Sequence, residues 1–251
     1  MIFVLVSITG CSVFEYSPYD DNLNTSIRNS NLKNISRIQD ILTEVEADSF
    51  NFAIISDSHS DYDDLHEVVK KINSHSDIKF TIHLGDQTDL GLKFEFENSL
   101  NELNNLKFPY VAIIGNHDYL SQGESIFEMI YGKTNFSFQI GTNNFIGFDN
   151  IVWENNNSRP NFEWLKNELA GLEGNKFLLM HLTETSNSME LYKEEYLSII
   201  NNIQDLYRFH GHTHVLDIDW PRVVAPMTSD RIIPVISVRG NIVSYYLLEP
   251  K

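Results

Sequence analysis

Five times along this chain a short apolar run ends in a cluster of small, acidic, amide or imidazole residues. Phe52-Ala53-Ile54-Ile55 precedes Asp57-Ser58-His59, and Phe80-Thr81-Ile82-His83-Leu84 precedes Gly85-Asp86-Gln87-Thr88-Asp89. Tyr110-Val111-Ala112-Ile113-Ile114 leads into Gly115-Asn116-His117-Asp118, Phe177-Leu178-Leu179-Met180 into His181, and Leu206-Tyr207-Arg208-Phe209 towards Gly211-His212-Thr213-His214. Apolar runs of this length read as buried strands. Helical spacing falls between them, at Asp63–Ile72, Phe94–Leu106, Asn161–Leu172 and Leu191–Ile203. Alternating strands and helices predict a layered α/β fold. In such a sheet, polar groups at the carboxyl ends of neighbouring strands meet in one crevice. Residues spread from position 57 to 214 can therefore share a site.

The side chains in these clusters are metal ligands in type. Asp57, His59, Asp86, Asn116, His181, His212 and His214 supply oxygen and imidazole donors, which suit divalent cations. The one cysteine, Cys11, lies far from them in sequence. A closed structural zinc site needs only four ligands and more often recruits thiolates. Seven such donors point to two cations with positions left open for water and substrate. Taken singly, an Asp-x-His or a Gly-Asn-His-Asp is an ordinary turn. It is the ordered recurrence after five strand-like runs that points to chemistry.

The order DxH, GDxxD, GNHD, H and GHxH resembles that of the calcineurin-like metallophosphoesterase superfamily, over roughly residues 50–248. The resemblance implies a four-layer α/β/β/α sandwich with two mixed β-sheets. It also implies two divalent or trivalent metal ions, of iron, manganese or zinc. Asp57, His59 and His214 would hold one ion, Asn116, His181 and His212 the other, and Asp86 would bridge them. Two dications then outweigh two aspartates and a bridging hydroxide by one positive charge, which attracts phosphate. An amide at Asn116 preserves that surplus, where a carboxylate would cancel it. The implied activity is hydrolysis of phosphoric esters, diester or monoester, with a metal-bridging hydroxide as nucleophile. His117 is expected to face the leaving oxygen as general acid or charge stabiliser, with Asp118 orienting it or raising its pKa. Asp89 is expected behind the ligands, fixing their orientation.

Departures from the family pattern narrow the substrate. Leu90 follows GDxxD where protein-phosphatase relatives carry arginine, and GHTH and GNHD differ from that branch, so a serine/threonine protein phosphatase is not expected. Leu182-Thr183-Glu184 follows His181 without the proline often found two places on. The formal net charge of −17 and the lack of a lysine or arginine cluster argue against general nucleic-acid binding. The expected partner is a small phosphoester. Arg159 and the Asn155–Ser158 loop read as solvent-exposed, and His66, His75, His83 and His210 as structural or solvated.

At the amino terminus, Ile2-Phe3-Val4-Leu5-Val6 leads into Ile8-Thr9-Gly10-Cys11, which resembles the lipobox of bacterial lipoprotein signal peptides. The run is too short to span a bilayer and lacks a basic start. The expected organisation is a signal over 1–11 ending at lipidated Cys11, a tether and helical lead-in over 12–48, and a catalytic domain over 49–251. Within the lead-in, Leu32, Ile35, Ile38, Ile41, Leu42 and Val45 recur at helical spacing and predict a helix packed on the domain. The expected location is the bacterial cell envelope, lipid-anchored to the membrane and facing away from the cytoplasm; the alternative is cytoplasmic. Two other functions compete: a noncatalytic envelope lipoprotein that binds a ligand or partner, and a nuclease of the same superfamily.

Overall fold

The computed structural model describes residues 23, 25–44 and 48–250. The proposed signal, Cys11 and most of the tether lie outside these residues. In chain order the principal elements are α1 (Ser30–Glu44), β1 (Ser49–Ile55), α2 (Tyr62–Asn73), β2 (Ile78–His83), α3 (Lys93–Leu103) and β3 (Tyr110–Ala112). Next come α4 (Gly123–Tyr131), β4 (Phe136–Ile140), β5 (Asn143–Gly147), α5 (Phe162–Leu169), β6 (Lys176–Leu179) and α6 (Lys193–Ile200). The carboxyl-terminal part adds β7 (Leu206–His210), β8 (Asp217–Asp219), β9 (Arg222–Val224), β10 (Ile233–Arg239) and β11 (Ile242–Leu248).

Two mixed sheets result, in the orders β11-β10-β1-β2-β3 and β4-β5-β6-β7-β9-β8. Strands β1, β2 and β3 run parallel, as do β5, β6, β7 and β9, while β10, β11, β4 and β8 pair antiparallel. This is the two-sheet α/β architecture expected from the sequence. Side chains alternate across each strand, and β1 shows the consequence. Phe50, Phe52 and Ile54 face the other sheet, whereas Ala53 and Ile55 join Leu65, Val68, Val69 and Ile72 of α2. The core between the sheets is largely phenylalanine. The Phe52 ring meets Phe145 and Phe177 edge-on, each at 5.5 Å between centroids, and Phe209 at 6.0 Å. A buried ring of this kind contributes roughly 1.5–3 kcal/mol through the apolar surface it removes from water.

Helix α1 seals one side of this sandwich. Ile35, Ile38 and Leu42 are buried in the inter-sheet core, while Leu32 stays exposed. Strand β3 ends the first sheet and offers free backbone groups, a liability for any edge strand. Asn31 answers it: its amide donates to Ala112 O at 2.8 Å and its carbonyl accepts from Ala112 N at 2.9 Å. Asn34 donates to Tyr110 O at 2.8 Å, and Gln39 to Gln139 O on the other edge strand, β4, at 3.0 Å. The helix predicted at 32–45 therefore belongs to the folded body.

Several boundaries differ from expectation. The strand predicted over Tyr110–Ile114 stops at Ala112, where the chain leaves the ladder to present Asn116. The helix predicted over Leu191–Ile203 opens as 3-10 turns at Asn187–Tyr192 and becomes α-helical only from Lys193 to Ile200. Helix α5 ends at Leu169, two residues before Gly171, whose φ is +72°. Among the described residues, no helix is long and apolar enough to cross a membrane.

Candidate metal centre

Each of the five clusters follows the carboxyl end of a parallel strand. Asp57 and His59 follow β1, Asp86 follows β2, Asn116 follows β3, His181 follows β6, and His212 and His214 follow β7. Backbone bonds continue past the strand ends and fix the loops together. Asp57 N donates to Gly85 O, His59 N to Asp86 O and Gly211 N to His181 O, at 3.0–3.1 Å.

The donors fall into two groups that share one residue. Single ligand atoms of Asp57, His59, Asp86 and His214 all lie within 4.8 Å of one another, as do those of Asp86, His181 and His212. Asn116 completes the second group, with Oδ1 3.1 Å from His181 Nε2 and 3.0 Å from His212 Nδ1. Asp86 Oδ2 lies 3.2 Å from His181 Nε2, and His59 Nε2 faces His214 Nε2 at 3.2 Å. All seven residues singled out from the sequence thus come together at one rim.

Backbone conformation marks the same residues. Asp57, His59, Asp86, His212 and His214 have φ of 52°, 45°, 55°, 72° and 62°. Left-handed conformations cost side-chain-bearing residues on the order of 1–3 kcal/mol each and persist where surrounding structure imposes them, commonly at functional sites. Gly211 permits the closest approach in the centre. A β-carbon there would sit 2.0 Å from Ser56 Oγ and 2.6 Å from Asp57 Oδ2.

The electrostatics suit cations. Burial, with Asp86 nearby, pushes Asp57 up to about 6, against the pull of His181 and the His212 backbone amide. Burial would raise Asp86 too, but His181 beside it holds that carboxyl at about 2. Burial alone would lower His181; Asp86 and Asp57 outweigh it and lift the imidazole to about 10. Partial burial, with His181 nearby, lowers His212 to about 4. Two carboxylates and four imidazoles thus share a small volume with their lone pairs converging. Only one proton fits between His59 Nε2 and His214 Nε2, whereas a cation satisfies both. The donor set fits two metal ions.

A supporting layer fixes the donors. His181 Nδ1 donates to Leu84 O at 2.7 Å, so Nε2 is the nitrogen turned towards the other donors and the one a cation would take in place of its proton. Asp89 Oδ1 stands 3.2 Å from His59 Nδ1. Ser58 Oγ meets buried His83 Nε2 at 3.0 Å; burial drives His83 down to about 3, so it remains neutral. His210 Nδ1 bonds Leu182 O at 2.9 Å, while His66 pairs with Glu102 and His75 with Lys71 O away from the centre.

His117 stands next to the first group, its ring 4.9 Å from that of His59. Its backbone amide donates to Asp86 Oδ1 at 2.8 Å, and Nδ1 donates to Asp89 O at 2.7 Å, leaving Nε2 outside that bond. The carbonyl of Asp89 orients this ring. The carboxylate of Asp118 instead accepts from Gln87 N, Thr88 N, Thr88 Oγ1 and Gly115 N, at 2.9–3.0 Å. Burial and the Asp86 charge push Asp118 up to about 7. Its bonds lock the loops after β2 and β3 to each other. Arg159 pairs with Glu195 and lies over the Phe162 ring, away from the donors.

One neighbour of the donors was not singled out from the sequence. Asn116 Nδ2 donates to Glu154 Oε1 at 3.2 Å, which fixes the amide with its oxygen towards His181 and His212. Glu154 sits in an irregular loop after β5, where no periodicity or spacing distinguishes it. With Trp153 and the loop 182–188 it lines a cleft of about 380 Å³ that opens beside Asn116 and His212.

Comparisons with known proteins agree with this fold. A dimetal phosphatase from Danio rerio superposes with a TM-score of 0.61 at 12% identity, over 80% of this chain and 99% of that one. Purple acid phosphatase PPD1 from yellow lupin gives 0.60 at 11%, over 80% of this chain and 51% of that one. GAP50, described as the anchor in the inner membrane complex of Plasmodium, gives 0.61 at 12%, over 80% and 84%. At such identities these likenesses speak for the fold alone. A search of curated proteins gives no match. The sequence profile of the calcineurin-like phosphoesterases matches residues 50–216, most of the chain and all five clusters, and the protein belongs to that family.

Proposed function

We propose that this protein is a dinuclear-metal hydrolase of small phosphoric esters, acting on diesters or monoesters. The observation that carries the reading is the pair of donor groups sharing Asp86. Asp57, His59 and His214 would hold one cation and Asn116, His181 and His212 the other, with Asp86 common to both groups. When bound, the ions polarise the phosphoryl oxygens and supply hydroxide as the attacking group near neutral pH. The chain's own residues do the rest. Asp86 Oδ1 takes the His117 amide, which ties the His117 ring to the bridging position. His117 Nδ1 is held by Asp89 O, so Nε2 serves the leaving oxygen as proton donor or charge partner. Asp118 holds the Asp86 and Asn116 loops in register, and Asp89 steadies His59.

A noncatalytic reading has one observation in its favour, since the fold likeness extends to a Plasmodium protein described as an anchor. Seven convergent donors and the adjacent His117 favour catalysis. Hydrolysis of bis-p-nitrophenyl and p-nitrophenyl phosphate with added manganese decides between them, repeated with Asp86→Ala and His117→Ala. Metal binding without turnover of any ester would support the noncatalytic protein. Residues 2–11 support placing the chain in the bacterial envelope, anchored through lipid on Cys11. Globomycin-sensitive processing at Cys11 tests that location, and unprocessed protein in the cytoplasm would reject it.

A further inference from the structure

The cleft beside the second donor group contains no lysine or arginine. Sites that grip extended polyanions hold phosphate oxygens with those residues. Here the wall carries a carboxylate and an indole side by side. Trp153 is 56% exposed, which leaves much of its indole open to a ligand in the cleft. Glu154 is half-buried and bonded to Asn116 Nδ2, and it is the acidic residue of the lining. An aromatic face next to a negative charge is the combination that attracts an ammonium group. The opposite wall agrees. Thr183 and Thr185 share a hydrogen bond at 3.0 Å, and Ser186 and Ser188 another at 3.1 Å, so one O–H of each pair is engaged within the wall. No positive charge stands on this wall to oppose an ammonium group. The chain's net charge of −17 adds a field that draws cations.

We propose that this cleft is a subsite for the cationic group of a phosphoester of an amino alcohol of the choline type. The inference rests on the phosphoesterase reading and names its substrate class. In the reaction the oxygen of water bonds to phosphorus and the P–O bond to the amino alcohol breaks. The alcohol departs with one proton of the water, the other goes to the new phosphate group, which keeps it as hydrogen phosphate or gives it up to solvent as a phosphomonoester ionises, and nothing is oxidised or reduced.

Two measurements on the full manganese-loaded chain test it. Calorimetric titration compares choline with 3,3-dimethylbutanol, its uncharged carbon analogue, neither of which carries phosphate. Choline is expected to bind roughly tenfold more tightly, and Trp153→Ala and Glu154→Gln should each remove that difference. Hydrolysis then compares the choline and 3,3-dimethylbutyl esters of phosphate and of p-nitrophenyl phosphate. The kcat/KM ratio is expected to favour the cationic ester roughly tenfold in the native protein and to fall towards one in both variants. Equal binding of the two alcohols, a preference for nucleoside esters over both, or a charge preference that survives both substitutions overturns the subsite. Turnover without charge preference removes the subsite and leaves the phosphoesterase standing. Selective choline binding with no ester hydrolysed keeps the cation site and removes the phosphoesterase reading.

Discussion

Replacing Asn116 by Asp changes one nitrogen into oxygen and so isolates the role of charge in the centre. Asn116 Oδ1 already faces His181 Nε2 and His212 Nδ1, so an aspartate keeps that donor atom in place. The other atom changes sense. Where Nδ2 donated to Glu154 Oε1 at 3.2 Å, two carboxylate oxygens now oppose each other. The added charge also cancels the surplus that two dications hold over Asp57, Asp86 and a bridging hydroxide. A unit charge acting on phosphate at about 4 Å is worth roughly 1 kcal/mol in water and roughly 4 kcal/mol at an effective dielectric constant of 20. The cleft is open to solvent, so the lower part of that range applies and phosphate affinity should fall about tenfold to a hundredfold. The assay is inhibition by inorganic phosphate, with metal content measured on the same samples. Asn116→Asp with Glu154→Gln separates the two effects: it relieves the repulsion between carboxylates but leaves phosphate binding weak. Unchanged phosphate inhibition, with both metal positions filled, would refute the charge reasoning.

Three further outcomes are expected. Asn31→Ala leaves the buried N–H and C=O of Ala112 without partners and should cost about 2–4 kcal/mol in urea unfolding, whereas a loss below ~0.5 kcal/mol would mean that α1 does not cap this edge. Gly211→Ala drives a methyl group against Ser56 and Asp57 and should weaken manganese binding at least ~10-fold in a titration followed by electron paramagnetic resonance; native affinity would contradict the close packing. Proton release gives the third. His181 is raised to about 10, so at pH 8 the metal-free protein holds a proton there that an arriving cation must displace. Metal affinity should therefore rise with pH towards 10, and fall faster below pH 6 as Asp57, raised to about 6, takes up a second proton. Calorimetry at pH 8 in buffers of different ionisation heat should register about two protons released, one from His181 and one from the water that becomes hydroxide, and release of one or none would contradict the assignment.

The donor residues were legible because their chemistry and their positions after strands are both written locally. The apolar runs ending at Ile55, Leu84, Ile114, Met180 and Phe209 identify β1, β2, β3, β6 and β7, and the polar residues after them could only collect at one rim. Helix α4 escaped the sequence reading because it opens at Gly123 without a side-chain cap, although Ile126, Phe127, Ile130 and Tyr131 form its buried face. Strand β10 carries Pro234, which argues against a central strand. The structure reconciles the two: β1 pairs only from Val235 onwards, so the missing N–H of Pro234 lies beyond that ladder. Asp118 stands next to His117 in sequence, which suggested a direct partnership. The 3-10 turn His117–Tyr119 instead directs the carboxylate towards Gln87, Thr88 and Gly115. Glu154 was invisible because its importance comes from tertiary proximity to Asn116, and a lone acidic residue in an irregular loop has no pattern to betray it.

Metal stoichiometry tests the centre most directly. Anomalous diffraction from crystals grown with manganese should give two peaks per chain, one among Asp57, His59 and His214 and the other among Asn116, His181 and His212, with Asp86 touching both. A single peak, or none, from protein saturated with the metal would contradict a paired centre.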